Sequence, residues 1–243
     1  MKVINLIRAL LGLLNHKTWG PFLETFQASR FDHAISVSWA QAGEDLALIS
    51  ALAGIEKGRY IDVGAHHPSR FSVTRALYER GWTGINIEAN FDLIAKFERE
   101  RSRDINLNFC VGKSAEYSFH VFEEPALSTV SNDWKNKFLQ ENQILSETRT
   151  VKGIKLTRVV QDFLSGGEFA FLNIDVEGAD LEALESLELN ELQRALWPKW
   201  VMLETAAPVS NALETPAVKY LIDFGYVTHF VLPNATLLRF IES

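Results

Sequence analysis

The stretch YIDVGAHHPSR, residues 60–70, starts as an apolar strand and stops on Asp62 and Gly64. Two adjacent histidines, His66 and His67, follow, and then Pro68. In an open α/β sheet a ligand lies across the carboxyl ends of the strands, where the strand order reverses. A glycine there lets the backbone approach the ligand with no side chain between, so Asp62, Gly64 and Ala65 are candidate cofactor contacts. A dinucleotide would need G-x-G-x-x-G, because its pyrophosphate sits on bare backbone amides at a helix start. Only Gly64 of that pattern is present; His66, His67 and Pro68 fill the remainder. The stretch suits a nucleoside ligand without a pyrophosphate, and S-adenosylmethionine is one.

Outward from this stretch, strand and helix patterns alternate. GINIEA (84–89), INLNFCVG (105–112), EYSFHVF (116–122), FAFLNIDVEG (169–178) and KWVMLET (199–205) read as strands. FSVTRALYERG (71–81), FDLIAKFERER (91–101), TRVVQDFL (157–164), ADLEALESL (179–187) and TPAVKYLIDFG (215–225) read as helices. The alternation predicts a doubly wound, mainly parallel α/β sheet covered on both faces. The near-continuous apolar strands agree with burial on both sides. YVTHFVL (226–232) and TLLRFI (236–241) predict an antiparallel C-terminal hairpin. Residues 123–155 mix helix and loop character and are read as a lid or substrate loop.

Whole-chain properties narrow the function. The chain has 243 residues, 47% of them hydrophobic, so it can bury a full core. The formal net charge of −7 argues against a nucleic-acid partner, which leaves a basic footprint. A single cysteine, Cys110, excludes a disulfide framework or a cysteine metal site within one chain. It is compatible with a reducing compartment, and a cytoplasmic location is expected. MKVINLIRALLGLL at the amino end is too short to span a bilayer, and no small-residue cleavage site follows it. Ile4, Ile7, Leu11 and Leu14 share one helical face. Residues 1–35 are therefore read as a helical extension that packs on the domain, associates with a second copy or lies on a membrane surface. Residues 36–243 form the main domain.

Two further acids repeat the logic of Asp62. GINIE ends in Glu88, placed to accept hydrogen bonds from ribose hydroxyls as in dinucleotide folds; alternatively Glu88 is a solvated acid opening a loop. FLNIDVEG ends in Asp175 and Glu177 before Gly178 opens a helix. Acids there can favour the helix dipole, which accounts for Glu177 more easily than for Asp175 in the strand. In QAGEDLALISAL, Gln41, Glu44 and Asp45 fall at i, i+3 and i+4, on one face with Leu48 and Leu52. That face is read either as turned over the site or as an ordinary acidic first turn.

These segments carry a resemblance. SWAQAGEDLAL, YIDVGAHHPSRFSVTRALYERGWTGINIEAN, RDINLNF, EPALSTVS, FLNIDVEGADLEALES and KWVMLET stand in the order and spacing of the FkbM-type methyltransferases, over about residues 36–241. The resemblance implies the seven-stranded, Rossmann-like fold of the class I methyltransferases and S-adenosyl-L-methionine as cofactor. It also implies an O-methyltransferase acting on a hydroxyl of a sugar or glycan. Gln41 and Glu44 join Asp62, Gly64, Ala65, Glu88 and Asp175 as expected cofactor contacts. The sequence departs from the family pattern at Val73, Asn90 and Asn173, where Asn, Pro, and Lys or Ser are usual.

A hydroxyl acceptor calls for a general base. His66, His67, Asp175 and Glu177 are the candidates, and a histidine would titrate near neutral pH. Asp175, Glu177, Glu204 and the histidines could also supply ligands for Mg²⁺ or a similar cation, although no tight ligand motif assigns one. Two other readings stand beside the methyltransferase: a nicotinamide-dependent oxidoreductase, and a non-catalytic scaffold with the same fold.

Overall fold

The computed structural model describes residues 36–164, 169–205 and 208–241. The expected N-terminal helix lies outside them. A compact unit spans Ser38–Ser243. Its helices are α1 (Glu44–Ala51), α2 (Arg75–Glu79), α3 (Phe91–Glu100), α4 (Asn132–Gln140), α5 (Leu156–Phe163), α6 (Asp180–Glu185) and α7 (Pro216–Asp223). Its strands are β1 (Arg59–Val63), β2 (Thr83–Ile87), β3 (Ile105–Leu107), β4 (Cys110–Val111), β5 (Glu116–Phe122), β6 (Leu145–Ile154), β7 (Phe169–Ile174), β8 (Trp200–Glu204), β9 (Tyr226–Val231) and β10 (Ala235–Phe240). Seven of them form one sheet in the order β3-β2-β1-β7-β8-β10-β9. Its first five strands are parallel, and β10 runs antiparallel to both β8 and β9. The order reverses between β1 and β7, so the carboxyl ends of these two strands are the expected ligand edge.

Side-chain alternation along β1 divides the core. Ile61 and Val63 pack with Leu156, Val159, Leu184 and Leu221 of α5, α6 and α7. Tyr60 points the other way, into a second cluster with Leu48 of α1, Leu77 of α2 and Trp82. Asp62 thus falls on the face of Tyr60, opposite the larger apolar cluster. All six residues of β7 are buried, as a central parallel strand requires.

Two segments differ from the sequence reading. INLNFCVG is not one strand: Ile105–Leu107 closes the edge of the main sheet, and Cys110–Val111 joins a second sheet of order β4-β6-β5. Asn108 makes the break by donating its side-chain amide to the carbonyls of Glu88 and Ala89, at 2.8 and 2.9 Å. Residues 123–155 are not mainly loop. They hold α4 and the ten-residue β6, which pairs antiparallel with β5 from Glu116↔Lys152 onward. Most of LSETRTVKGI stays exposed or half-exposed, so it lacks the apolar alternation that marks a strand in sequence.

The loop from Gly64 to Thr74 is held from beneath by Arg101, which is fully buried. Its guanidinium donates to the Pro68 carbonyl from Nε (3.1 Å) and Nη2 (2.7 Å), to Ser72 Oγ (2.5 Å) and to Thr74 Oγ1 (2.7 Å). Thr74 Oγ1 in turn donates to Asp62 Oδ2 at 2.5 Å. Arg101→Met leaves these acceptors buried and unpaired. The expected cost is roughly 3–5 kcal/mol, seen as a fall in Tm of roughly 6–20 °C. Arg103→Met at an exposed neighbouring position should move Tm little. Equal Tm changes in both variants would contradict the role given to Arg101.

Candidate functional site

A cavity of about 340 Å³ opens at the carboxyl ends of β2, β1, β7 and β8, large enough for a cofactor-sized ligand. Asp62, Gly64, Ala65 and Glu88 line it, together with Gln41 and Glu44 ahead of and within the first turn of α1. Asp175, Glu177 and His66 also line it. The structure therefore brings together all but one of the expected site residues. His67 is absent from the wall: its Nδ1 accepts the backbone N–H groups of Ser69 (3.2 Å) and Arg70 (3.1 Å), closing the turn.

Gly64 has a different reason from the one its motif suggests. Its φ is +74°, and a Cβ there would lie 1.7 Å from the Asp175 carbonyl oxygen. The missing side chain lets the ends of β1 and β7 meet, and Gly64 also lines the cavity. Asp175 N–H, correspondingly, donates to the Val63 carbonyl at 3.0 Å.

Asp62 is buried and takes Asn173 Nδ2 at 2.9 Å as well as Thr74. Desolvation lifts its pKa, and the two hydrogen bonds with the Arg101 charge oppose the rise. Glu88 is equally enclosed. Its two oxygens accept the backbone N–H groups of His66 (2.8 Å) and Asn90 (2.7 Å). Burial still raises its pKa to about 7. The cavity wall also carries the apolar side chains of Ala89, Phe109, Val111 and Phe119, with Cys110. Burial, and then Glu88, push the Cys110 thiol up to about 12, so it serves as an apolar wall and not a nucleophile.

Glu44 and Asp45 do not act as a pair. Gln41 precedes the helix, which begins after Gly43 at φ +89°. Glu44 lines the cavity while its Oε2 accepts the Ala42 N–H at 2.8 Å. Asp45 turns away and accepts Ser38 Oγ (2.6 Å) and Trp39 N–H (2.7 Å). Trp39 passes this order to the loop above Arg101, its carbonyl accepting the Ser72 N–H at 3.1 Å.

At the far end of the cavity, carboxylate oxygens of Asp175, Glu177 and Glu204 lie within 4.8 Å of one another. Among the described residues none of the three side chains has a hydrogen-bond partner. Three oxygens so placed either share protons or hold a hard divalent cation such as Mg²⁺; no histidine belongs to the group. Burial first and the Asp180 charge second lift Glu177 to about 7; burial first, then Asp175, Glu177 and Asp180, lift Glu204 to about 10. Asp175 is raised as well, by desolvation and then by Glu177, Asp180 and Asp62. Its side chain is ringed by protein yet open to the cavity, so water in the cleft screens part of that repulsion. Glu177 adopts φ +50°, with Gly178 at +87° against the Trp134 ring. Thr129 Oγ1 donates to the Glu177 carbonyl at 2.7 Å and ties this turn to the wall that follows β5. His66, at φ +53°, is the matching strained residue at the end of β1; such backbone collects at functional sites.

The contributions of Arg101, Thr74, Ser72 and Asn173 were missed in the sequence. Each acts through a buried polar contact, and no local pattern marks such a contact. Asn173 had one signal: it is a polar residue in an otherwise apolar strand.

The donor set fits a nucleoside with an amino-acid tail. Acids, amides and apolar side chains share the cavity wall, among them Glu88, Asp62, Gln41, Asn173 and Phe119. It does not fit a pyrophosphate: ten residues of loop separate Gly64 from α2, and six carboxylates line the cavity with no Lys or Arg among its described lining residues.

Comparison with known proteins gives the family. The family model described as the methyltransferase FkbM domain matches residues 62–208, more than half of the chain. No curated protein matches it by sequence. Among solved structures it is similar to the human methyltransferase 10 domain containing protein, at 12% identity and a TM-score of 0.44, covering 94% of this chain and 100% of that one. It is similar to a precorrin-6y C5,15-methyltransferase from Geobacter metallireducens at 13% identity and a TM-score of 0.40, with 86% and 93% covered. It is also similar to an O-methyltransferase from Bacillus cereus in complex with SAH, at 11% identity and a TM-score of 0.39, with 94% and 93% covered. The match over residues 62–208 places the asparagine-held Asp62, the enclosed Glu88 and the carboxylate group at the end of β7 within one family domain: the chain belongs to the FkbM methyltransferase family.

Proposed function

We propose that the protein transfers a methyl group from S-adenosyl-L-methionine to a hydroxyl of a sugar or glycan, with a carboxylate of the Asp175–Glu177–Glu204 group as base. The observation that carries this is the convergence of Asp62, Glu88 and Asp175, from three adjacent parallel strands, on one cavity. When bound, the cofactor supplies an activated methyl group on a cationic sulfur. Glu88 holds the ribose hydroxyls on its free lone pairs, and the apolar side chains of Ala89, Phe109 and Phe119 take the base. Asp62, through Asn173 and Thr74, keeps the floor of the cavity fixed. Alignment of the reacting groups accounts for much of the rate, and the carboxylates at the ends of β7 and β8 receive the acceptor proton. Glu177 suits that part, since a base works best with a pKa near the working pH.

Environment inverts the expectation drawn from residue type. Burial, with Arg70 next to it, lowers His66 to about 4, while burial raises Glu177 to about 7. A histidine base would therefore act down to acid pH, and Glu177 would lose activity near neutrality. His67, committed to closing its turn, positions the loop.

Two measurements follow. Glu88→Ala should weaken S-adenosylmethionine binding by about 1–3 kcal/mol, the usual value of a hydrogen bond to a charged group. Calorimetry reads this, with Tm as the control for folding; unchanged affinity in a folded variant removes the ribose assignment. The second is the pH profile of kcat/KM for methyl release to candidate sugars. Glu177 must be ionised to accept a proton, so the rate should fall as pH drops through about 7. Glu177→Gln should keep cofactor affinity and lose turnover. A fall centred near pH 4, or normal turnover in Glu177→Gln, would exclude Glu177 as the base.

A further inference from the structure

The turn after β1 holds a charge-and-ring arrangement that the scheme above leaves unused. Arg70 lies four residues beyond His66. Its guanidinium makes two parallel hydrogen bonds to Glu124, Nη1 to Oε1 and Nη2 to Oε2, both 2.9 Å. The same Nη1 reaches His66 Nε2 at 3.3 Å. Phe71 packs with both groups: the guanidinium carbon is 4.2 Å from its ring centroid, and the His66 ring stacks on it at 6.2 Å and 19°. Glu124 is fixed from its own side, because Oε1 also accepts the Ala126 N–H at 3.2 Å. That contact caps the short 3₁₀ turn Pro125–Leu127, and Pro125 and Ala126 form part of the cavity wall.

The Arg70 and Glu124 side chains are 43% and 41% exposed. An ion pair so exposed adds little to stability. Its consequence falls on the histidine. A guanidinium has only donors and keeps its charge at any working pH. The histidine nitrogen that faces it must therefore present a lone pair. With Nε2 of His66 as the acceptor, the proton of a neutral ring sits on Nδ1. The other charges acting on this ring are those of His67, Glu124 and Lys96. Desolvation, with Arg70 second, keeps the ring neutral.

We infer that Arg70, oriented by Glu124, is a positioning residue that fixes His66 as the neutral Nδ1–H tautomer. His66 then serves methyl transfer as a hydrogen-bond donor on the cavity wall and not as a base. The inference rests on the family's reaction and on this cavity; it does not depend on which hydroxyl is methylated.

The tautomer is read directly from the ¹⁵N shifts and ¹H–¹⁵N long-range correlations of the full-length protein labelled at histidine, at neutral pH. The His66 signals are assigned by their loss in His66→Gln. Wild type should show the Nδ1–H pattern. Arg70→Met frees Nε2, and the pattern should move toward Nε2–H, the form that unconstrained histidine favours. Glu124→Gln keeps the arginine but weakens its hold, and should give a mixture of the two forms. Arg70→Lys has no planar fork to serve two partners and should recover the wild-type pattern only in part. In methyl release with any acceptor that supports turnover, Arg70→Met should lower kcat by about tenfold, the scale of one lost hydrogen bond. Cofactor KM should stay nearly constant. An Nε2–H pattern in the wild type would overturn the inference, and so would an unchanged Nδ1–H pattern in Arg70→Met. Both readouts are independent of the acceptor-base assignment, so a failure of one reading does not disguise a failure of the other.

Discussion

The ligand edge of this protein depends on one buried positive charge. Arg101 ends α3 and turns back under the loop that joins β1 to α2, where the Pro68 carbonyl, Ser72 and Thr74 accept its protons. A buried guanidinium is costly unless its donors are met and opposite charge lies near. Asp62 provides that charge through Thr74. Asp104 provides it through Tyr60, whose hydroxyl donates to Asp104 Oδ2 at 2.5 Å and stands 3.4 Å from the Arg101 guanidinium. Asp104 also accepts the Gly84 N–H and the Asn86 amide, locking β2 to the same network. The acid at the end of β1, the start of β2 and the loop between them are thus parts of one hydrogen-bonded body.

That rigidity explains the division of labour among the acids of the cavity. Asp62 and Glu88 have their oxygens engaged by side-chain or backbone donors, so their positions in the cavity wall are fixed. Asp175, Glu177 and Glu204 are close together and far less compensated. Repulsion and burial both favour protons on this group, and a cationic cofactor nearby would favour their release. A sulfonium donor and an acid-rich cavity are complementary in charge, whereas a pyrophosphate would meet six carboxylates.

Much of the fold was legible because the parallel core writes itself as apolar runs. FAFLNI reads as a strand buried on both faces, and IDV before Gly64 reads as ending at the sheet's carboxyl edge. Glu88 and Asp175 were legible because acids at the ends of such runs need a task. The second sheet was not, because β6 is a mostly exposed strand whose pattern is polar. Arg101 was hidden for another reason: in FERER an arginine reads as a solvated helix end, and only the three-dimensional path of residues 66–74 buries it. The surroundings of the histidines were not legible either. Residue type put them at neutral pH, but the turn uses His67 as a backbone acceptor and presents Arg70 to His66. The close approach of Gly64 to the Asp175 carbonyl also required the structure, since it joins two strand ends far apart in sequence.

The central claim is that this edge is built for a pyrophosphate-free, positively charged nucleoside. The direct test is calorimetric titration of the full chain with S-adenosylmethionine, S-adenosylhomocysteine and NAD under one buffer. The account predicts one site per chain for both adenosyl compounds and no binding heat from NAD. Saturable binding of NAD, with none of either adenosyl compound, would contradict it.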